Sequence, residues 1–144
     1  MTSRTRSSRQ PGRLPRGSKT EIIPNDDAET TRGKMRENES AEILAGKGYD
    51  VEQNPYVPGM ENPDYRIEGR IFDCYAPSNP KAYNIAESIR LKVERGQTQR
   101  IILCLDDSEV TLEELRQQLN SNPIAALREI IVLKAGEIIE FFPE

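Results

Sequence analysis

Asp64 and Asp73 stand at the two ends of an alternating stretch that turns at Gly69. Such alternation reads as a β-hairpin, Asp64–Glu68 followed by Arg70–Tyr75, and a two-residue turn at Glu68-Gly69 sets its register. Ile67 then pairs with Arg70, Arg66 with Ile71 and Tyr65 with Phe72, and Asp64 faces Asp73. The period of two puts Asp64, Arg66, Ile71, Asp73 and Tyr75 on one face, and Tyr65, Ile67, Phe72 and Cys74 on the other, apolar face. Carboxylates facing each other at roughly 5 Å between Cβ atoms repel unless something offsets them. A divalent cation is one remedy, and oxygen ligands suit Mg²⁺ or Mn²⁺. A solvated hairpin with both aspartates exposed is the plainer alternative, and spacing alone leaves both open.

Other residues offer partners for this pair. Glu39 and Glu42 share one face of a helix expected over Met35–Lys47, and either supplies a third carboxylate. Lys81, Asn84, Ser88 and Lys92 form a polar ridge on a second helix expected over Lys81–Arg95. A lysine there suits a phosphate, or the charge that develops on phosphorus during phosphoryl chemistry. Tyr75 suits the positioning of a phosphate or a water. Asp106-Asp107 end a buried strand, a place where ligands often bind, although capping and turn formation account for them equally. Each of these residues has an ordinary surface or packing role as its alternative. The chain has no histidine, which removes the commonest general base and every His-dependent triad. Cys74 and Cys104 lie inside apolar runs and read as buried reduced thiols, neither a disulfide framework nor a zinc site.

The elements that must position these groups follow from patterning. After the first helix, Asp50–Gln53 reads as a short strand and the proline-rich 54–63 segment as a loop. The hairpin comes next, then the second helix with its stripe Ala82, Ile85, Ala86, Ile89 and Val93. Arg100–Leu105 is an apolar run and reads as a buried strand. Thr111 and Glu114 form a capping box for a helix to about Asn120. Ile130–Lys134 and Glu137–Phe142 pair about Ala135-Gly136. The expected fold is a single α+β domain, a mixed twisted sheet of about five to six strands flanked by about three helices.

Composition divides the chain. Residues 1–19 hold six basic residues and no acid, leaving 14 of the 20 basic residues and all 24 acidic ones to the remainder. The low hydrophobic share, 35%, falls mainly on this N-terminal part. Residues 1–19 therefore read as a disordered basic tail, 20–34 as a linker and 35–144 as the folded domain. No apolar run is long enough for a membrane span, and the N-terminal arginines precede no apolar core of a Sec-type signal peptide.

Several separated stretches then resemble one family in the right order. They are Arg36–Ala41, Lys47–Pro55, Pro63-Asp64-Tyr65, Phe72–Pro77, Lys92-Val93 with Gly96-Gln97, and Arg100–Leu103 with Leu105–Asp107. Together they resemble the C-terminal tRNase domain of CdiA-type contact-dependent growth inhibition toxins, from about Arg36 to Phe142. Pro63-Asp64 and Asp73 also resemble the acidic motifs of a PD-(D/E)XK nuclease core, with Glu39 as the carboxylate of the leading helix. Where that pattern has acid-x-lysine this chain has Asp73-Cys74-Tyr75, so the lysine must come from elsewhere, with Lys92 or Lys81 the candidates.

The resemblance implies an endoribonuclease that cleaves tRNA by phosphodiester hydrolysis. Its catalytic set would be Glu39, Asp64, Asp73, Tyr75 and Lys92, and Lys81, Asn84, Arg66 and Arg90 would bind substrate. Mg²⁺ or Mn²⁺ would sit on Asp64, Asp73 and Glu39. It further implies a cognate immunity protein and action in the cytoplasm of a target bacterium. A catalytically inactive nucleic-acid- or protein-binding module of the same fold, and a DNA endonuclease, are the alternatives.

Overall fold

The computed structural model describes residues 4–144, and the hairpin that carries the aspartates is the hinge of its architecture. Strands β3 (Tyr65–Ile67) and β4 (Arg70–Tyr75) pair antiparallel with Tyr65 opposite Phe72, Arg66 opposite Ile71 and Ile67 opposite Arg70, the register expected from the sequence. The turn residues Glu68 and Gly69 both have positive φ, 51° and 79°, the geometry of a tight hairpin turn. A glutamate is unusual there. It is held because its carboxylate accepts hydrogen bonds from the backbone N–H groups of Asp50, at 2.8 Å, and Ser8, at 3.0 Å.

The remaining elements are β1 (Arg16–Gly17), α1 (Ala28–Gly46), β2 (Val51–Gln53), α2 (Ala82–Glu94), β5 (Arg100–Cys104), α3 (Leu112–Ser121), β6 (Glu129–Lys134) and β7 (Glu137–Phe142). The strands lie in sequence order in one seven-stranded sheet. The β1–β2, β4–β5 and β5–β6 pairs are parallel and the others antiparallel. Helix α1 covers one face, packing Ala41 and Leu44 on Tyr65, Ile67, Phe72, Ile102 and Ile131. Helices α2 and α3 cover the other, where Ile85, Ile89 and Leu115 meet Ile101, Leu103, Ile130 and Val132. Strands β5 and β6 are thus apolar on both faces, which is why they read as unbroken hydrophobic runs. The capping box at Thr111 and Glu114 opens α3 as expected. No helix among the described residues is long and apolar enough to cross a membrane.

Two expectations change. The sheet has seven strands rather than five to six, because a two-residue strand in the basic arm adds to its edge. The disordered tail and the linker also differ from the structure, except that residues 1–3 lie outside the described residues. From Arg4 onward the arm follows the body through polar contacts. Thr5 is buried, its N–H and hydroxyl donating to the buried Glu129 carboxylate at 2.8 and 2.7 Å. Arg9 and Arg16 both pair with Asp50, at 3.4 and 3.0 Å. Gly17, at φ 79°, lies so close to the β2 backbone that a Cβ would fall 2.2 Å from the Gln53 carbonyl oxygen. Helix α1 takes up the second half of the expected linker. Its first turns contain almost no apolar residues. Asp27 caps the backbone N–H of Thr30 at 2.7 Å, and Arg32 and Lys34 pair with Asp107 and Asp26. Capping and ion pairs, unlike apolar periodicity, leave little mark in a hydrophobic pattern.

Candidate active site

Strand pairing fixes the two aspartates to each other's main chain. Asp64, just before β3, accepts a hydrogen bond from the Cys74 N–H at 2.8 Å. The Asp64 N–H in turn hydrogen-bonds the Asp73 carboxylate. Asp64 is further anchored through its carbonyl oxygen, which accepts from the Asn54 N–H at 2.8 Å. Asp73 is buried at 6% exposure and Asp64 is half-buried, so neither acid is a freely solvated surface carboxylate.

Two other elements converge on this pair. Helix α1 brings Glu37, whose side chain hydrogen-bonds Asp64. The main-chain oxygen of Glu37 accepts from the Tyr65 hydroxyl at 2.5 Å. Helix α2 brings Lys92, whose ammonium lies over the Tyr75 ring, 5.7 Å from its centre, and attracts both aspartates. Burial raises the Asp64 carboxyl to about 7, with the Glu37 charge adding to it and Lys92 opposing. Burial, then the charge of Asp64, raises Asp73 to about 6, again against Lys92. The site is therefore short of positive charge. It holds acids that exchange protons near neutrality beside one ammonium group.

Of the residues singled out in the sequence, the structure brings together Asp64, Asp73, Tyr75 and Lys92. It places Glu39 elsewhere. Two residues along a helix is about 200° of rotation, and Glu39 pairs with Arg36 at 3.0 Å on an exposed face. Lys81 and Asn84 lie at the start of α2, with Lys81 exposed at its N-cap and Asn84 donating to Asn79 at 3.4 Å. Lys92 is in the last turn of the same helix. Arg66 pairs with Glu52 at 3.1 Å, and Arg90 with Glu87 at 3.3 Å. Asp106 and Asp107 bind Arg36, and Asp107 also binds Arg32, a junction between α1 and the end of β5. Glu37 escaped the sequence reading although a signal was there: with Ala41 and Leu44 it occupies positions i, i+4 and i+7, the stripe that faces the sheet.

Among the described residues no group of three or more His, Cys, Asp or Glu side chains is arranged to hold a metal ion. The chemistry of the donors nevertheless suits a hard cation, since Asp64 and Asp73 offer only oxygen and, of the influences that shift both, only the Lys92 ammonium opposes their mutual repulsion. Mg²⁺ commonly takes one or two carboxylates and completes its shell with water and phosphate oxygens. Asp64 and Asp73 fit that mode better than a closed protein cage.

Comparison with known proteins places this geometry. The family described as the contact-dependent growth inhibition CdiA C-terminal domain matches residues 61–138, more than half of the chain and the whole of the Asp64–Lys92 region. The chain belongs to that CdiA C-terminal domain family. A relative named tRNA nuclease CdiA-2, from Burkholderia pseudomallei (strain 1026b), is 46% identical over 129 residues. That match takes in 89% of this chain but only 4% of the relative, so the chain spans a small part of that protein's length. A solved CdiA-CT/CdiI toxin and immunity complex from Burkholderia pseudomallei superimposes with a TM-score of 0.81 at 47% identity, covering 85% of this chain and 94% of that one. The mixed sheet with its flanking helices is thus a fold of CdiA toxin domains, as the resemblance in the sequence implied.

Proposed function

We propose that this CdiA C-terminal domain is an endoribonuclease that cleaves tRNA by attack on a phosphodiester. The observation that carries the reading is the convergence of Glu37, Asp64, Asp73 and Lys92 from α1, the hairpin and α2. The name of the 46% identical relative, a tRNA nuclease, supports the choice of substrate. Phosphodiester cleavage needs a base for the attacking oxygen and positive charge for the phosphorane that forms. An ionised carboxylate of the buried pair, poised near neutral pH, takes the proton. The Lys92 ammonium faces the charge on the non-bridging oxygens. Tyr75 beneath Lys92 fixes the lysine's direction through its ring. A divalent cation bound at Asp64 and Asp73 would add Lewis-acid polarisation of the phosphate. Glu37 takes the place first assigned to Glu39 in the catalytic set. Arg66, Arg90, Lys81 and Asn84 remain proposed contacts for the RNA backbone.

The same reading extends to partners and place of action. A solved relative is a complex of toxin and immunity protein, which supports a cognate immunity protein for this chain. A tRNA substrate places the toxin's action in the cytoplasm of the target bacterium. The test is incubation of the purified chain with total tRNA and, in parallel, duplex DNA, each with Mg²⁺, with Mn²⁺ and with chelator. Cleavage of tRNA that is lost in Asp73→Asn and Lys92→Ala is expected. Cleavage of DNA alone would move the chain to the DNA endonucleases. Binding without cleavage in every condition would make it a binding module.

A further inference from the structure

The segment that follows the basic arm reaches the candidate site at Thr20. Thr20, in the segment that joins β1 to α1, donates its hydroxyl proton to Oε2 of Glu37. A threonine hydroxyl has one proton and two lone pairs. Here both lone pairs are engaged: Nδ2 of Asn54 donates to Oγ1 at 3.1 Å and Nε2 of Gln53 at 3.4 Å. The proton is thereby directed to the Glu37 carboxylate. The backbone of Thr20 is clamped as well. Its N–H donates to Oδ1 of Asn38 at 2.8 Å, and Nδ2 of Asn38 donates to its carbonyl oxygen at 3.0 Å. The supporting Gln53 is buried on β2 and donates to the same Asn38 oxygen at 2.5 Å. Upstream, the Ser18 N–H bonds the Gln53 carbonyl oxygen at 3.1 Å, which registers this segment against the sheet.

We infer that Thr20 is a positioning residue for the Glu37 carboxylate, and that residues 16–20, the end of the arm with Thr20, are part of the catalytic unit. The inference rests on the endoribonuclease reading for its activity test. Glu37 is held at two points: Tyr65 fixes its main chain, and Thr20 fixes the side-chain oxygen that would otherwise be free to rotate away from Asp64. A carboxylate left to choose among rotamers spends less time in the productive one, so the loss should appear in kcat rather than in substrate binding.

The test compares Thr20→Val, which keeps the shape and removes the hydroxyl, with Thr20→Ser, which keeps the hydroxyl, in the full chain. Thr20→Val should lower kcat on tRNA about tenfold with KM within about twofold, and Thr20→Ser should restore kcat. A merely structural role predicts a lower unfolding midpoint with unchanged kcat per folded molecule, and that result overturns the proposal. Asn54→Gly, at an exposed loop position with φ 53°, removes one of the two donors that aim the hydroxyl. It should lower kcat a few-fold even where Thr20→Val folds poorly; full kcat there overturns the proposal too. The carboxyl ¹³C resonance of Glu37 gives a readout without catalysis. It should move in Thr20→Val and stay in Thr20→Ser, and a resonance that stays in both variants overturns the proposal. A wild-type chain that cleaves no tRNA while the Glu37 resonance responds overturns the functional reading and leaves the positioning role standing.

Discussion

The Tyr65 hydroxyl donates to the main-chain carbonyl oxygen of Glu37 at 2.5 Å, joining the hairpin to the middle of α1. Tyr65 is fully buried, and its neighbours across the sheet face are the apolar residues of the α1 core. The hydroxyl therefore lies in a place where an unpaired polar group would be costly, and the main-chain oxygen that accepts its proton belongs to the residue that reaches Asp64. Packing of the hairpin and placement of the third carboxylate are one event. Tyr65→Phe should reduce stability by about 1–2 kcal/mol and should also lower kcat, because Glu37 loses its main-chain anchor. Urea unfolding together with single-turnover tRNA cleavage checks both. Lost stability with full kcat would show that the helix holds Glu37 without the hairpin.

Glu37 and Glu39 make opposite predictions from neighbouring positions. Glu37→Gln should reduce tRNA cleavage by about 100-fold or more, in the range typical for loss of a positioned acid or base. Glu39 lies on an exposed face against Arg36. Glu39→Gln should leave cleavage within about twofold and stability within about 0.5 kcal/mol. Measured rates for the two variants decide between the helix face read from sequence and the one in the structure.

These two residues also mark where the sequence was legible. The hairpin register was readable because a period of two and a tight glycine turn leave few alternatives, and Asp64 and Asp73 came with it. Lys92 was one of two lysines offered by the polar side of α2, and only the packing of that helix on β4 separates it from Lys81. Glu37 is the harder carboxylate to read, because Glu39 and Glu42 share the solvated face of α1 and look the more available pair. A charged residue in phase with the buried Ala41 and Leu44 was the stronger sign. The arm was missed for a different reason. It contributes hydrogen bonds and ion pairs instead of apolar area, and such contacts depend on three-dimensional partners that composition does not reveal.

Proton linkage offers a prediction that needs no substrate. The ordinary carboxyl value is 3.8, and the fold raises Asp64 to about 7 and Asp73 to about 6. Between these limits the folded chain holds more protons than the unfolded one. Stability is then greatest below about pH 4 for these two groups and falls as pH rises toward 7. Asp64→Asn and Asp73→Asn each remove their own share of that slope, each becoming more stable than the wild type at pH 8 by roughly 1–3 kcal/mol. Urea midpoints measured from pH 4 to pH 8 test this. Added Mg²⁺ should recover part of the wild-type loss at high pH if the pair accepts a cation, since binding to the folded state alone stabilises it. Equal pH dependence in wild type and both variants would mean that the acids are solvated after all.

The far end of the arm has its own anchor at Glu129. This carboxylate is 1% exposed, receives both hydrogen bonds of Thr5 and pairs with Arg100. Removing one member of a buried ion pair leaves the other without compensation, so Glu129→Ala should cost about 3–5 kcal/mol. Thr5→Val keeps the pair and the side-chain shape and replaces only the hydroxyl, so it should cost about 1 kcal/mol. Glu140, paired with Arg4 at 3.6 Å and largely in solvent, serves as the control, with Glu140→Gln expected to change stability by less than about 1 kcal/mol. Denaturant unfolding ranks the three variants. Trypsin supplies the second measurement, because release of Thr5 should free the backbone around Arg6 and Arg9 to enter the protease and speed cleavage there. If Glu129→Ala unfolds more easily while the arm is cut no faster, the anchor serves the sheet alone and the arm is held by its contacts at Asp50 and Glu37.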